Sequence, residues 1–394
     1  VFLDSDKDGD LDLFVCSGGS EYKQNTTSYL DRLYVNNGKG QFAKATNTPT
    51  YKVSTNVATP FDFDKDGDLD LFIGGRQLPG EYGKNVSSFI LQNNRGVFTD
   101  VTNSMAPMFN DFGMVTDAKV ADLNNDKIEE LVIVGEWMPV QIFNFKGNKM
   151  VNVSNDYNLK NTNGWWNTIE IVDADNDNDL DIVAGNLGHN IKYKASVDKP
   201  FKLYVDDFDK NGSNDVYLGY YEGGKCYPVR GKQCSTQQMP FVSDKFKTYN
   251  DFGSATITDV LDGLITDKTV LQEVHTFANS VFINNNGSFT QVELPSEAQI
   301  SPIYGIAIDD FDKDGVTDLF LAGNMYNREV ETTRSDAGKG CLITYKDGEF
   351  VASRNLKTGV SADKDVRDVL VVKDKNKSML LIANNNDQLQ IYSY

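Results

Sequence analysis

In DSDKDGDLD (Asp4–Asp12) and DFDKDGDLD (Asp62–Asp70), aspartates fall at every second position for five positions. Carboxylates this dense repel one another unless a cation compensates them. An all-oxygen donor set of this kind suits Ca²⁺, which takes about 6–8 oxygens in flexible geometry, better than Mg²⁺, which keeps several waters. The nine-residue frame, acidic or amide at positions 1, 3, 5 and 9, occurs six times, continuing as DLNNDKIEE (Asp122–Glu130), DADNDNDLD (Asp173–Asp181), DFDKNGSND (Asp207–Asp215) and DFDKDGVTD (Asp310–Asp318).

The ligands expected from side chains are those at positions 1, 3, 5 and 9. They are Asp4, Asp6, Asp8 and Asp12; Asp62, Asp64, Asp66 and Asp70; Asp122, Asn124, Asp126 and Glu130. In the other three copies they are Asp173, Asp175, Asp177 and Asp181; Asp207, Asp209, Asn211 and Asp215; Asp310, Asp312, Asp314 and Asp318. Position 7 (Asp10, Asp68, Ile128, Asp179, Ser213, Val316) would serve through its carbonyl, and the Gly at position 6 in four copies permits a sharp turn. An EF-hand would need an acidic residue at position 12. That position holds Val15, Ile73, Ile133, Ala184, Leu218 and Leu321, so these loops are a different device. Six bound Ca²⁺ would add 12 charges and bring the formal −19 to −7.

Each loop lies between β-type runs, such as TIEIV before it and LFIGG after it, and several units continue into a hairpin pattern with an Asn/Gly turn: RLYVNNGKGQF, FILQNNRGVF, VFINNNGSF and CLITYKDGEF. Strand, acidic loop, strand and hairpin make a four-stranded antiparallel unit that buries both faces only by packing on its neighbours. First aspartates are 58, 60, 51, 34 and 103 residues apart, and 64 more lead to Asp374 in a seventh unit that lacks the acidic loop. The fold class is therefore all-β, a β-propeller of seven four-stranded blades in a single domain, 1–394. The 34-residue interval predicts a reduced fourth blade. The 103-residue interval predicts a partly helical insertion, 222–277, between one blade's first two strands and its hairpin near Asn279–Glu293.

The acidic balance excludes a nucleic-acid partner. No apolar run approaches the about 18 residues of a membrane span. With only His189 and His275, HExxH zinc chemistry is excluded. Cys226 and Cys234 are close enough in sequence for a disulfide, and four free thiols fit equally well. The chain opens three residues before a motif and reads as a fragment or processed product.

The nine-residue loop followed by DLFIGG or DLFLAGN resembles the FG-GAP/VCBS repeat of integrin α-subunit propellers and bacterial surface proteins. The stretches GEWMP, GWWNTI, GNLGHN, YKASVDKP and EVETTRSDAGKG are similar to bacterial relatives of the cartilage-acidic-protein family. The resemblance implies a Ca²⁺-loaded propeller, exported to the cell surface, the bacterial outer membrane or the medium. It names no ligand.

In such a unit the segments opposite the acidic loops carry all three Trp. A glycan or protein partner is expected there, at Arg76, Trp137, Trp165, Trp166, Tyr326 and Arg328, with Tyr220, Tyr221 and the insertion on the same rim. The competing reading packs those aromatics into the core. The leading function is a non-catalytic binding module, which could be an accessory subunit of an outer-membrane complex. The alternative is a polysaccharide lyase (Arg76, Glu136, His189, Lys192, Tyr326, Arg328, Glu329) or a hydrolase (Glu81, Glu136, Glu329, Glu331). A third reading is a spacer with no ligand.

Overall fold

The computed structural model describes all residues except 47, 50, 329–331, 354 and 376, and the side chains of 355 and 356. The described residues form seven antiparallel sheets. They fall in two compact units, 1–115 with 193–276 and 116–192 with 277–394.

In the first unit, sheet one is Phe2–Leu3, Asp12–Val15, Arg32–Asn36 and Phe42–Lys44. Sheet two is Ser54–Phe61, Asp70–Gln77, Phe89–Asn94 and Val97–Asp100. Phe14, Leu33, Leu71, Ile73 and Leu91 form one buried cluster between these two sheets. At the far end of the strands from the acidic loops, buried Asp31 ties them together. Its Oδ1 accepts from Ser17 N at 2.7 Å and from Thr55 Oγ1 at 2.6 Å.

Burial pushes the Asp31 carboxyl up to about 6. Its folded pKa therefore lies above the unfolded value of about 3.9, so its contribution is complete below about pH 4 and is lost as pH rises through about 6. Asp31→Asn should remove about 3 kcal/mol of that slope. A melting temperature that declines less between pH 4.5 and 7 is the expected result, and an unaltered pH profile would exclude this role.

In the second unit, which begins at Thr116 within the strand Met114–Ala121, sheet three is that strand, Glu130–Met138, Gln141–Lys146 and Lys149–Asn152, with Gly164–Trp165 also paired to Glu130–Met138. Sheet four is Thr168–Val172, Asp181–Gly185, Ser280–Asn284 and Phe289–Glu293. Sheet six is Gly305–Asp309, Asp318–Ala322, Cys341–Lys346 and Glu349–Ser353. Sheet seven is Val366–Asp374, Lys377–Asn384 and Gln390–Ser393. Period-two alternation explains the apolar run DIVAG. Ile182, Ala184 and Phe282 face the sheet-three residues Val132, Val134 and Ile142, while Val183 and Val281 face Ile306, Leu319 and Ile343 of sheet six. A strand buried on both faces reads as continuously hydrophobic.

Sheet five corrects the expectation for both odd intervals. The hairpin Ser280–Glu293 pairs with Asp181–Gly185, so it completes sheet four, which is not reduced. What interrupts sheet four is the whole of sheet five: Phe201–Asp206, Asp215–Glu222 and Lys225–Pro228, with Val270–Val274 on the free side of Phe201–Asp206. Between its last two strands lie four short helices, Lys232–Gln238, Phe241–Lys245, Tyr249–Gly253 and Ile257–Val260. The last two begin with reciprocal capping boxes, Thr248 with Asp251 and Thr256 with Asp259. Met239, Val242, Phe252 and Ile257 pack on Tyr204 and Tyr217 of the sheet.

Cys226 and Cys234 are not bonded to each other. Cys226 packs with the helix–sheet cluster, where burial pushes its thiol up to about 11, and Cys234 sits on the first helix. Among the described residues no helix is long and apolar enough to cross a membrane.

Candidate metal centres

The six acidic loops share one hydrogen-bond frame. The position-6 amide donates to the position-1 carboxylate at 2.8–3.1 Å: Gly9 to Asp4, Gly67 to Asp62, Lys127 to Asp122, Asn178 to Asp173, Gly212 to Asp207 and Gly315 to Asp310. The position-5 amide donates to the position-3 side chain at 2.9–3.3 Å. The position-7 amide donates to the position-5 side chain at 2.8–3.0 Å. Wrapping the chain this tightly needs the left-handed region twice. Position 6 has φ from +69° to +92° and position 4 has φ from +59° to +64°. Position 4 is Lys7, Lys65, Lys210 or Lys313 in four loops, a residue type that gives no turn signal, and sequence reasoning missed it.

Position 9 has a structural job beside the ligand role expected of it. One of its carboxylate oxygens accepts the position-2 amide at 2.8–3.1 Å in every loop. The other accepts the amide of an Asn on the third strand in three of them, from Asn36 to Asp12, Asn93 to Asp70 and Asn284 to Asp181. So position 9 pins the loop to the hairpin. Those Asn residues, which the sequence suggests are turn formers, are themselves connectors. Asn93 Nδ2 donates to Ser5 O of sheet one at 2.8 Å, and Asn284 Nδ2 to Leu123 O of sheet three at 2.9 Å. A second tie joins the first two loops, Lys7 Nζ to Asp68 Oδ1 at 2.6 Å, and it holds the Asp68 carboxyl below the usual range.

A hard cation fits this donor set. Carboxylate oxygens of Asp4, Asp6 and Asp8 lie within 4.8 Å of one another, as do those of Asp62, Asp64 and Asp66. In the next three loops the position-9 residue joins the group: Asp173, Asp175 and Asp181; Asp207, Asp209 and Asp215; Asp310, Asp312 and Asp318. The buried Oδ1 atoms of Asp4, Asp62 and Asp318 have no hydrogen-bond partner. Burial, with neighbouring carboxylates adding to it, pushes Asp70 and Asp181 up to about 7 and Asp318 to about 6. The Asp122–Glu130 loop differs. Asn124 donates its amide to Asp126 Oδ2 at 3.2 Å and to Tyr157 Oη at 3.1 Å, and no three carboxylates converge there.

Two of the three tryptophans expected on the ligand face are core instead. Trp166 is fully buried, its Nε1 donating to Thr162 O at 2.9 Å and its ring edge-on to Phe282. Trp137 is also core, at the end of a strand buried along its whole length, with its ring centroid 5.0 Å from that of half-buried Trp165. Tyr326 is half-buried, donates to Asp363 O at 3.1 Å and has the Arg334 guanidinium 4.9 Å from its ring centroid. Arg328 is half-buried in the same unit, whereas Arg76 is half-buried on the strand Asp70–Gln77 of the other. Of the enzyme candidates, Glu136 is buried opposite Trp165 in sheet three and His189 Nε2 lies 3.0 Å from Glu293. Glu81 pairs with Lys84 at 2.7 Å, and Glu329 and Glu331 lie outside the described residues.

The FG-GAP-like repeat family matches residues 4–73, 62–133 and 122–184, each match running from one acidic loop through the next. No curated protein sequence matches the chain. Among solved structures, a thermostable family-43 glycoside hydrolase aligns over 86% of this chain and 89% of its own, at 9% identity and a TM-score of 0.31, a likeness too low to bear on chemistry. The family matches and the shared loop frame together identify residues 4–184 as FG-GAP-like repeats, in a chain whose antiparallel sheets agree with an FG-GAP-type β-propeller.

Proposed function

We propose that this protein is a non-catalytic, calcium-stabilised binding module that works outside the cell, with its seven sheets as propeller blades. The observation that carries this reading is the repeated loop frame. In all six loops the side chains at positions 1, 3 and 5 accept backbone amides of their own loop, so the acidic residues are committed to holding structure. In five of them, all but the Asp122–Glu130 loop, the remaining oxygens would hold Ca²⁺, whose role there is to neutralise the loop and lock its fold. FG-GAP repeats usually occur in extracellular proteins, where free calcium is high enough to keep such sites filled.

The partner is a glycan or a protein, held at the strand ends away from the acidic loops. Calcium bound per chain, counted by equilibrium dialysis and elemental analysis at millimolar free Ca²⁺, should be five, with the Asp122–Glu130 loop empty. No bound calcium would overturn the reading. A glycan held by the module should be recovered at its original length, and shortened chains would instead favour the lyase or hydrolase alternative.

A further inference from the structure

Sheet five carries a groove at the end of its strands opposite its acidic loop. The strand Asp215–Glu222 leaves the loop at Asp215 and ends at Tyr220–Glu222, roughly 17–23 Å away at about 3.3 Å per residue. There a cavity of about 450 Å³ is lined by Tyr220, Tyr227, Tyr249, Glu222, Arg230 and Lys232, among others. The volume falls in the range of small-ligand sites, about 300–1,000 Å³.

The rings of Tyr220 and Tyr227 stand 6.4 Å apart at 43°. Lys232 Nζ lies 5.4 Å from the centroid of the Tyr249 ring, and Arg230 is braced by Gln238 Oε1 at 3.2 Å. Tyr249 is 70% exposed and Tyr220 36% exposed, so neither ring is consumed by the core.

We propose that this groove binds a short acidic oligosaccharide, one that carries carboxylate or sulfate groups. The inference rests on the binding-module reading and names its site and ligand class. Tyrosine offers an apolar face for the C–H side of a pyranose and a hydroxyl for its rim. Two cations against one carboxylate make a locally positive site on a chain of net charge −19, and charge-assisted hydrogen bonds favour a carboxylate or sulfate there. An extended peptide finds less here. The bordering strand Lys225–Pro228 is only four residues long and ends in a proline without an amide hydrogen, and the next amide, Val229, already bonds Leu218 O.

The test is calorimetric titration of the calcium-loaded protein, at matched free calcium, with tetragalacturonate, its methyl ester and a chondroitin sulfate tetrasaccharide. At least one acidic probe should bind, at least fivefold tighter than the neutral ester, and the one that binds distinguishes carboxylate from sulfate recognition. Tyr249→Ala and Lys232→Gln should each weaken that binding at least tenfold, with calcium stoichiometry and melting temperature unchanged. Failure of both acidic probes to bind, equal binding of the ester, or variants that bind like wild type would overturn the site. Calcium stoichiometry in the same samples separates that failure from failure of the binding-module reading.

Discussion

Excess chelator should lower the melting temperature of this protein by at least about 10 °C. A site occupied at 100 times its dissociation constant stabilises the folded state by about 2.7 kcal/mol. Five loops bring three carboxylate oxygens within 4.8 Å of each other, two of those loops at the start of the chain and the others in sheets four, five and six. Both compact units therefore contain sites. The second unit holds two of the sites, so emptying both removes about 5 kcal/mol. For units of about 200 residues each kcal/mol moves the midpoint by about 2–4 °C, so complete loss gives the stated shift. Ionic screening predicts a different pattern. Surface repulsion is screened within about 10 Å at 0.1 M salt, so if the loops need only ionic strength, sodium chloride will restore the midpoint. Calcium restoring it where sodium does not is the expected result. A midpoint indifferent to chelator would remove calcium from the account of this fold. Asp64→Asn combined with Asp66→Asn should reduce the drop, because it strips two charges from one loop without touching the backbone amides they accept.

The acidic loops were legible in the sequence because their side chains recur at fixed positions, and the same positions make the same bonds. The left-handed position 4 was not legible, since Lys7, Lys65, Lys210 and Lys313 advertise no turn. Strand partners are also invisible to a one-dimensional interval. The strand Ser280–Asn284 belongs beside Asp181–Gly185 because its alternating Val281 and Phe282 fit the two faces already begun there, and residues 186–279 fold as a detour. The tryptophans carried a usable signal that composition obscured. Trp165 and Trp166 are consecutive in an extended segment, so they must point to opposite sides and only one can face outward. Trp165 is half-buried and Trp166 is wholly inside. Exposed aromatics do occur at the end of a sheet away from its acidic loop, on sheet five, where Tyr220 and Tyr249 sit beside strands and helices that the interval arithmetic had merged into one insertion.

Asn284→Ala should destabilise the second unit by about 3–5 kcal/mol. The side chain is completely buried. Its Nδ2 donates to Leu180 O at 3.1 Å within sheet four and to Leu123 O at 2.9 Å in sheet three, and its Oδ1 accepts from Gly287 N at 2.7 Å. Truncation leaves these groups without the side chain, and each buried polar group left unsatisfied costs about 1–3 kcal/mol. Asn36 supplies the internal control. It repeats the bonds to its own loop and turn, Nδ2 to Leu11 O at 3.2 Å and Oδ1 from Gly40 N at 3.1 Å, but it is only half-buried and solvent can replace what it loses. Asn36→Ala should therefore cost about 1 kcal/mol. Asn93, buried like Asn284 and bonded to Ser5 O of the neighbouring sheet, should behave like Asn284. Asn284→Asp is the sharper variant, because it sets a carboxylate oxygen against two carbonyls in a dry site and should cost more than alanine. Denaturant unfolding of the four variants decides the point. Equal losses for Asn36→Ala and Asn284→Ala would mean that the bond between sheets adds nothing, and that the repeated Asn-Asn of these hairpins is turn chemistry alone.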